Sequence, residues 1–329
     1  VQKLRALAAE VRSILGPETK ISYAADWSEY FGYQPQDGTG DRYFHLDPLW
    51  ADDNIDFIGI DNYMPLADWR DSDSHLDGEL WDAIYNLDYL KSNIEGGEGF
   101  DWYYHSPEAR EAQIRTPITD NAHNEPWVFR YKDLRAWWAN PHFNRPGGVE
   151  GGSSTAWVPQ SKPVWFTELG CPAIDRGTNQ PKVFFDPKSS ESFTPHFSRG
   201  WRDDAIQRAY LEATYLWWGE TAHNPVSSVY GGRMVHVPEC AAWTWDARPY
   251  PFFPALTDVW TDGANWRLGH WLTGRIGAVS LAALVRHLCL RAGLPEDRID
   301  VTGLWGAVEG YAIGALESPR ASITTLSRH

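Results

Sequence analysis

The stretch KPVWFTELG at residues 162–170 decides the fold that we expect for this chain. Its apolar run consists of residue types that favour β-strands, and its proline stands near the start, where a missing N–H is best tolerated. Because side chains alternate along a strand, we expect Glu168, Phe166 and Val164 to share one face. A carboxylate at the carboxyl end of a buried strand is a typical catalytic position in α/β enzymes. For this strand alone, an acid that caps the next turn is the simpler interpretation.

Three further predicted strands end in the same way. The four strands are predicted at residues 20–25, 55–60, 162–167 and 241–245, and the acids that follow them are Asp26, Asp61, Glu168 and Asp246. Helical periodicity marks residues 79–94, 131–139 and 198–221, and the predicted helix caps include Ser106, Ser198, Ser280 and Ser318. Strands that alternate with helices favour a parallel sheet, and right-handed crossovers bring the strand ends to one edge. Because turn capping alone rarely places four acids in this register, we predict an acidic rim.

Half of a (β/α)8 barrel is the architecture that four such units make. Residues 1–15 are predicted to form the helix that follows a preceding strand, so we expect the C-terminal half of the barrel here and the other half before Val1. An open sheet is the alternative. Aromatic residues become fewer from Gly274 onwards, which favours a domain boundary there. We therefore predict a TIM-barrel-like domain over residues 1–274 and the start of a small α+β domain over residues 275–329.

The composition argues against several classes of function. The 329 residues carry a net charge of -15, which repels nucleic acid and anionic membranes, and no apolar run has the length of a membrane span. Cys171, Cys240 and Cys289 are too widely spaced for a zinc motif or a disulfide framework. The histidines show no i, i+4 pair, so we expect no metal site and no cofactor.

Carboxylates beside many aromatic residues suggest glycoside hydrolysis. The chain has 19 Trp and 15 Tyr, and flat aromatic rings pack well on sugar faces. The reaction needs a carboxylic acid that protonates the leaving oxygen and a carboxylate that acts as nucleophile or base. Glu168 is our candidate nucleophile, while Asp61 and Asp26 are candidates for the acid or for positioning hydroxyl groups. Substrate binding is predicted for residues at the strand ends, namely Trp27, Asn62, Tyr63, Trp245 and Asp246.

Two features have simpler explanations. Packing in the core explains Trp245 as well as sugar binding does. The tripeptide Asn124-Glu125-Pro126 occurs at the acid/base strand of many barrel glycosidases, but the residues before it here are polar. We interpret it as part of a loop, because a motif has meaning only in its structural context.

Four stretches resemble the barrel-like domain of gene transfer agent tail proteins, which form the tail-tip hub of phage-like particles in alphaproteobacteria. These stretches are KISYAADWSEYFG (20–32), HLDPLWADDNIDFIGIDNYMPLADWRD (45–71), VFRYKDLRAWWANPHFNRPGG (128–148) and KPVWFTELGCPAIDRGTNQPKVF (162–184). The resemblance extends over roughly residues 1–275. Residues 276–329 look like the start of the phage tail-hub module that follows in this family.

The resemblance implies a (β/α)8 barrel similar to those of retaining glycosidases. In such a barrel Glu168 would end the seventh strand as the nucleophile, and residues 242–245 would belong to the eighth. Asp26 and Asp61 would end the fifth and sixth strands. The acid/base glutamate would end the fourth strand, which would lie before Val1.

The resemblance also implies a location and partners. The protein would belong to the baseplate hub at the tail tip of a particle that is assembled in the bacterial cytoplasm and released outside. Its partners would be other tail-tip proteins, further copies of itself in a trimeric hub, and a host envelope polysaccharide. Two functions follow: the barrel binds and hydrolyses that polysaccharide during attachment, or it is an inactive structural or receptor-binding element. Fold alone does not decide between them.

Overall fold

A computed structural model describes residues 1–72, 74–186, 188–190, 192–275, 278–308 and 310–328. Its α-helices are α1 (Gln2–Leu15), α2 (Asp47–Trp50), α3 (Leu87–Ser92), α4 (Pro107–Glu111), α5 (Leu134–Ala139), α6 (Asp204–Gly219), α7 (Phe252–Ala255), α8 (Leu281–Arg291) and α9 (Pro319–Leu326). Its strands are β1 (Ala24–Asp26), β2 (Ile58–Asn62), β3 (Trp102–Tyr103), β4 (Thr116–Pro117), β5 (Val164–Leu169), β6 (Val279–Ser280) and β7 (Ala307–Val308). Short 3₁₀ helices span Pro126–Phe129, Pro146–Gly148, Gly177–Asn179, Val237–Glu239, Gly263–Arg267 and Glu296–Arg298.

Strands β1, β2 and β5 form a parallel sheet with β2 in the centre. Asp26 pairs with Asp61, and Asp61 pairs with Glu168 on the third strand. The parallel order and the common acidic edge predicted for these three strands are therefore confirmed. The strands lie further along the chain than predicted, so the acids belong to the strands rather than following them.

The strand predicted at residues 241–245 is wrong, because this segment forms a turn beside β5. The N–H of Ala241 donates to the carbonyl of Phe166 (2.8 Å). The N–H of Trp243 donates to the carbonyl of Leu169 (2.8 Å). The two N–H donors are two residues apart in the sequence, whereas the two carbonyl acceptors on β5 are three residues apart. In a regular parallel ladder the two spacings would be equal. Within the described residues the parallel sheet is open and three-stranded, and no closed barrel forms.

The two faces of this sheet are covered unequally. One face carries Ile60 and Phe166, which are buried beneath α6, where Trp218 meets the ring of Phe166 edge-on. The opposite face carries Ala24, which is exposed, and Trp165, which is partly exposed. Parallel sheets are normally covered on both faces. The less covered face is therefore the one that is open to a ligand or a partner.

Three of the four predicted serine caps are confirmed, and the cap predicted at Ser198 is wrong because Asp203 caps α6. The side chains of Ser106, Ser280 and Ser318 each accept a hydrogen bond from the third residue of the following helix, as predicted. The helix predicted at residues 79–94 is wrong in its first part, because Asn86 caps α3 and sets its start. Helices α5 and α6 are shorter than the segments predicted for them.

Residues 278–328 contain the hairpin β6–β7 and the helices α8 and α9. Leu288 is their one buried apolar residue among those described, whereas Leu294, Ile313 and Leu316 are exposed. This mix of elements is compatible with a small α+β unit, and the domain boundary near residue 275 stays a prediction. None of the helices described in the chain combines the length and apolar character needed to cross a bilayer.

Candidate active site at the acidic edge

A bulge in β5 sets the direction of Glu168. Ile60 pairs with Phe166, but the next residue, Asp61, pairs with Glu168, so Thr167 is an extra residue in the strand. Residues that pair across neighbouring strands point to the same face, and a bulge shifts that alternation. Glu168 therefore lies on the face of Asp61. The prediction that it shares a face with Phe166 and the other buried residue of β5, Val164, is wrong for this reason.

Each of the two central acids accepts a hydrogen bond from a neutral hydroxyl. The hydroxyl of Thr167 donates to Asp61 Oδ1 (2.8 Å), and the hydroxyl of Tyr63 donates to Glu168 Oε2 (2.6 Å). Such bonds orient a carboxylate and leave its charge in place. Glu168 Oε1 has no hydrogen-bond partner within the described part of the chain, so this oxygen can still accept a hydrogen bond.

The third acid is neutralised by a lysine from the loop after β5. Lys182 Nζ lies 2.5 Å from Asp26 Oδ2. The backbone N–H and the hydroxyl of Ser28 donate to Asp26 Oδ1 (3.0 and 2.6 Å). Asp26 therefore anchors the loop that carries Lys182 to the end of β1.

The three carboxyl groups differ in the direction of their pKa shifts. Partial burial raises the pKa of Glu168; the hydrogen bond from Tyr63 opposes this, and the negative charges of Asp61 and Asp26 add to it. Burial likewise raises the pKa of Asp61, against the hydrogen bond from Thr167. For Asp26, burial also acts upward, but the bonds from Lys182 and Ser28 outweigh it and lower the pKa. The edge thus combines two carboxyls that hold a proton more readily with one that stays ionised.

A cleft of about 750 Å³ opens beside this edge, and we call it the rim cleft. The residues that define it are Trp27, Tyr63, Glu98, Arg110, Tyr131, Lys182, Phe184, Phe193 and His196. Its volume falls in the range of small-molecule sites, about 300–1,000 Å³. The described residues that line the cleft do not include the three acids themselves. Tyr63 and Lys182, which line it, contact Glu168 and Asp26.

His270 holds the loop that forms one side of the rim cleft. Its ring is buried, and Nε2 lies 2.8 Å from the carbonyl oxygen of Pro181. Since a carbonyl oxygen only accepts, Nε2 carries the proton. The same ring stacks on Phe184 (5.7 Å between centroids) and meets Tyr63 edge-on (5.6 Å). Burial lowers the pKa of His270 to about 4, so the ring is neutral at pH 7.

The structure brings together five of the predicted site residues and separates three from them. The five are Trp27, Asp26, Asp61, Tyr63 and Glu168. Asn62 is buried on the opposite face, and its Oδ1 accepts from the N–H of Met64 (3.2 Å) in a turn. Trp245 is 61% exposed and lies outside the rim cleft, and Asp246 is held by Arg248. The reason is that the predicted strand carrying these two residues is a turn.

Several residues of the site have no signal in the sequence. Lys182, Phe184 and His270 come from long loops, and only the length of those loops indicates that this edge is elaborated. Glu125, from the tripeptide interpreted as a loop, precedes a 3₁₀ helix and pairs with Arg145 (2.5 Å). It lies outside the rim cleft, in agreement with that interpretation.

The described residues contain no group of three or more His, Cys, Asp or Glu side chains that could hold a metal ion. The chemistry that the edge itself offers is that of carboxyl groups. A carboxylate oriented by Tyr63 can act as a nucleophile or base, and a carboxyl with a raised pKa can donate a proton.

Comparison with known proteins gives one family. A family model described as the GTA TIM-barrel-like domain matches residues 1–254. The match includes the parallel sheet and every residue that defines the rim cleft. No curated protein matches the chain.

Proposed function

Because this chain belongs to the family of GTA TIM-barrel-like domains, in which GTA stands for gene transfer agent, we propose that it binds a host envelope polysaccharide at the tail tip of such a particle. The observation that carries this proposal is the aromatic cleft beside the acidic edge. The site would serve attachment, and the chain would act as a component of the baseplate hub.

The lining of the rim cleft supports a sugar ligand. Trp27, Tyr63, Tyr131 and Phe184 contribute aromatic rings, which pack on the apolar faces of sugars. Trp27 and Tyr131 are packed edge to face (4.6 Å between centroids), so the wall is already formed without a ligand. The polar groups beside these rings can bind sugar hydroxyls. A preformed wall lowers the entropy cost of binding.

Binding can be measured with polysaccharide purified from the envelope of an alphaproteobacterial host. We expect Trp27→Ala to weaken binding about tenfold, since aromatic contacts contribute about 0.5–1.5 kcal/mol beyond their buried area and a tenfold change corresponds to about 1.4 kcal/mol. Trp245→Ala is the matched control, because Trp245 lies outside the rim cleft and should leave binding unchanged. Equal losses in the two variants, or no binding by the wild type, would overturn the proposal.

Hydrolysis is the second candidate, and the hydrogen bond from Tyr63 to Glu168 favours it. Glu168 would attack the anomeric carbon while the glycosidic C–O bond breaks and an acid protonates the leaving oxygen. Water, deprotonated by the same group, would then displace Glu168 and release the sugar. Asp61 is the candidate acid in this chain, since burial raises its pKa. Asp61 and Glu168 pair across neighbouring strands, which favours the closely spaced carboxyl pair of a retaining enzyme. Asp26, kept ionised by Lys182, would position a hydroxyl group.

Variants test whether Glu168 is the nucleophile and whether Asp61 is the acid. In the full-length protein, Glu168→Gln should lower the release of reducing sugar by orders of magnitude while binding remains. Asp61→Asn should have a comparable effect only where Asp61 is the acid. A wild type that binds the polysaccharide and releases no reducing sugar would mean that the barrel is an inactive, receptor-binding element.

Assembly is a further part of the proposal. We propose that the chain contacts other tail-tip proteins and further copies of itself in a trimeric hub. The exposed apolar residues Leu294, Ile313 and Leu316 and the less covered face of the parallel sheet support a covering partner. Light scattering on the full-length protein tests this, and a monomer at micromolar concentration would contradict the trimer.

A further inference from the structure

A second cavity of about 600 Å³ adjoins the rim cleft. Arg110 and His196 line both cavities. We call the second cavity the outer chamber, and the residues that matter to it here are Tyr104, His105, Arg110, Glu111, His196 and Phe197. Each cavity alone has the size of a small-molecule site, about 300–1,000 Å³. Together they fit an elongated ligand better than a compact one.

Arg110, which lies between the two cavities, is held in place by several contacts. The guanidinium of Arg110 donates to both carboxylate oxygens of Glu98 (2.9 and 2.5 Å) and lies 4.5 Å from the ring centre of Tyr104. The buried side chain of Arg70 in turn donates to the carbonyl of Arg110 (2.6 Å). Arg110 belongs to α4, whose start is capped by Ser106. The part of the lining that both cavities share is therefore preformed.

The charges along this path argue for an uncharged ligand. Of the Lys and Arg residues that line the two cavities among the described residues, Arg110 is paired with Glu98 and Lys182 with Asp26. Glu111 in the outer chamber and Asp186 in the rim cleft add negative charge. An anionic polymer would thus find no uncompensated cation here and would meet like charge.

We propose that the rim cleft and the outer chamber form one groove, which binds an internal segment of a neutral polysaccharide across Arg110. This inference rests on the proposed function and extends it, because it names the class of polymer and a second set of subsites. The aromatic rings of Tyr104 and Phe197 in the outer chamber would pack on sugar units distant from Glu168. Affinity then depends on the length of the sugar chain.

The test uses envelope polysaccharide from an alphaproteobacterial host, separated by anion exchange into a neutral and an acidic pool. Partial hydrolysis and sizing of each pool give short and long oligosaccharides, and calorimetry with the full-length protein gives their affinities. We expect long neutral chains to bind about tenfold or more tighter than short ones, which corresponds to one or two further stacked sugar units. Added salt should change this affinity little, because no ion pair with the ligand is formed.

A filling variant tests the outer chamber without removing a packed residue. Glu111→Trp places a large side chain in the chamber from an exposed position, and Glu108→Trp makes the same change on α4 outside both cavities. Glu111→Trp should bring the affinity for long chains down to that for short chains. Glu108→Trp should leave both unchanged.

The outcomes separate this inference from the proposed function. Equal affinity for short and long chains in the wild type, or tighter binding of the acidic pool, overturns the groove and leaves sugar binding in the rim cleft intact. The same holds if Glu111→Trp leaves the affinity for long chains unchanged. Absence of binding for every oligosaccharide overturns both proposals.

Discussion

Asp61 and Glu168 face each other on neighbouring parallel strands because Thr167 is an extra residue between Phe166 and Glu168. If Thr167 instead paired regularly with Asp61, Glu168 would pair with Asn62 and its carboxylate would point towards the buried face. Bulges are frequent next to active sites, where they redirect a side chain. Thr167 also contributes its hydroxyl to Asp61 (2.8 Å), so one residue places Glu168 and orients its neighbour.

The bond between Thr167 and Asp61 leads to the first prediction. Thr167→Val keeps the shape of the side chain but removes the donor, which should raise the pKa of Asp61 further, since that bond lowers it. The loss should cost about 0.5–1.5 kcal/mol of unfolding free energy. Carboxyl NMR titration and urea denaturation measure the two effects. Thr167→Ser retains the hydroxyl and serves as the control; an Asp61 pKa that is the same in both variants would show that the bond does not form.

The second prediction concerns the raised pKa of Glu168. Replacing this residue by Gln should stabilise the protein, and the size of the gain should depend on pH. Burial is the main cause that raises the pKa of Glu168 in the folded state. Over an interval of pH, Glu168 therefore keeps its proton in the folded protein but has lost it in the unfolded chain. Stability therefore falls as the pH rises from the ordinary glutamate pKa of about 4.3 through the folded value. Glu168→Gln removes this loss, so its unfolding free energy should increase relative to wild type over that interval.

Urea denaturation between about pH 3.5 and 8 measures the difference in unfolding free energy between Glu168→Gln and wild type. This range extends about one unit below and well above the ordinary glutamate pKa. The exposed Glu79→Gln controls for the change in net charge. A Glu168→Gln variant that loses stability relative to wild type as the pH rises would have the wrong sign and would contradict the burial of this carboxylate.

The contact between Lys182 and Asp26 gives a third prediction. Lys182→Met should raise the pKa of Asp26. Burial raises this pKa, and without Lys182 only the hydrogen bonds from Ser28 oppose that effect. Lys182 is 58% exposed, so the ion pair should contribute no more than about 1 kcal/mol to stability. Carboxyl NMR titration gives the first quantity and urea denaturation the second. Lys188→Met, in the same loop, is the control, and an unchanged pKa of Asp26 would contradict the anchor.

Tyr63 is predicted to position Glu168 for hydrolysis. Tyr63→Phe keeps the ring in the rim cleft and removes the bond to Glu168, which should raise the pKa of that carboxyl. If the protein cleaves its ligand, kcat should fall about tenfold or more, as expected for a charge-assisted bond of about 1.5–3 kcal/mol. The acidic limb of the pH–rate profile should move to higher pH, and KM should change little. Tyr103→Phe, at an exposed tyrosine, is the control, and a fall in kcat without the pH shift would argue against this role.

The sequence predicts the parts of this site that depend on local pattern. Residue types and alternation indicate β1, β2 and β5, and their parallel order places Asp26, Asp61 and Glu168 in one row. Serine caps of three helices follow from the same kind of local signal. These features depend on a few neighbouring residues, which is why they can be recognised without a structure.

The rest depends on pairing between distant segments. The bulge at Thr167 is a shift of register between β2 and β5, which lie about a hundred residues apart in the sequence. No residue type within β5 predicts it. The turn at residues 241–245, which leaves Trp245 outside the rim cleft, likewise shows itself only in hydrogen bonds to the distant strand β5. Lys182 and Asp26 meet across 156 positions of sequence. Contacts between segments that are so distant in sequence cannot be predicted from the periodicity of residue types.

A crystal structure of the full-length protein with a long neutral oligosaccharide from the host envelope tests the central claim most directly. Sugar rings should lie in the rim cleft, with one packed on Trp27 and the chain passing Tyr63. Density for the oligosaccharide elsewhere, for example on the exposed Trp245, with an empty rim cleft, would contradict the account.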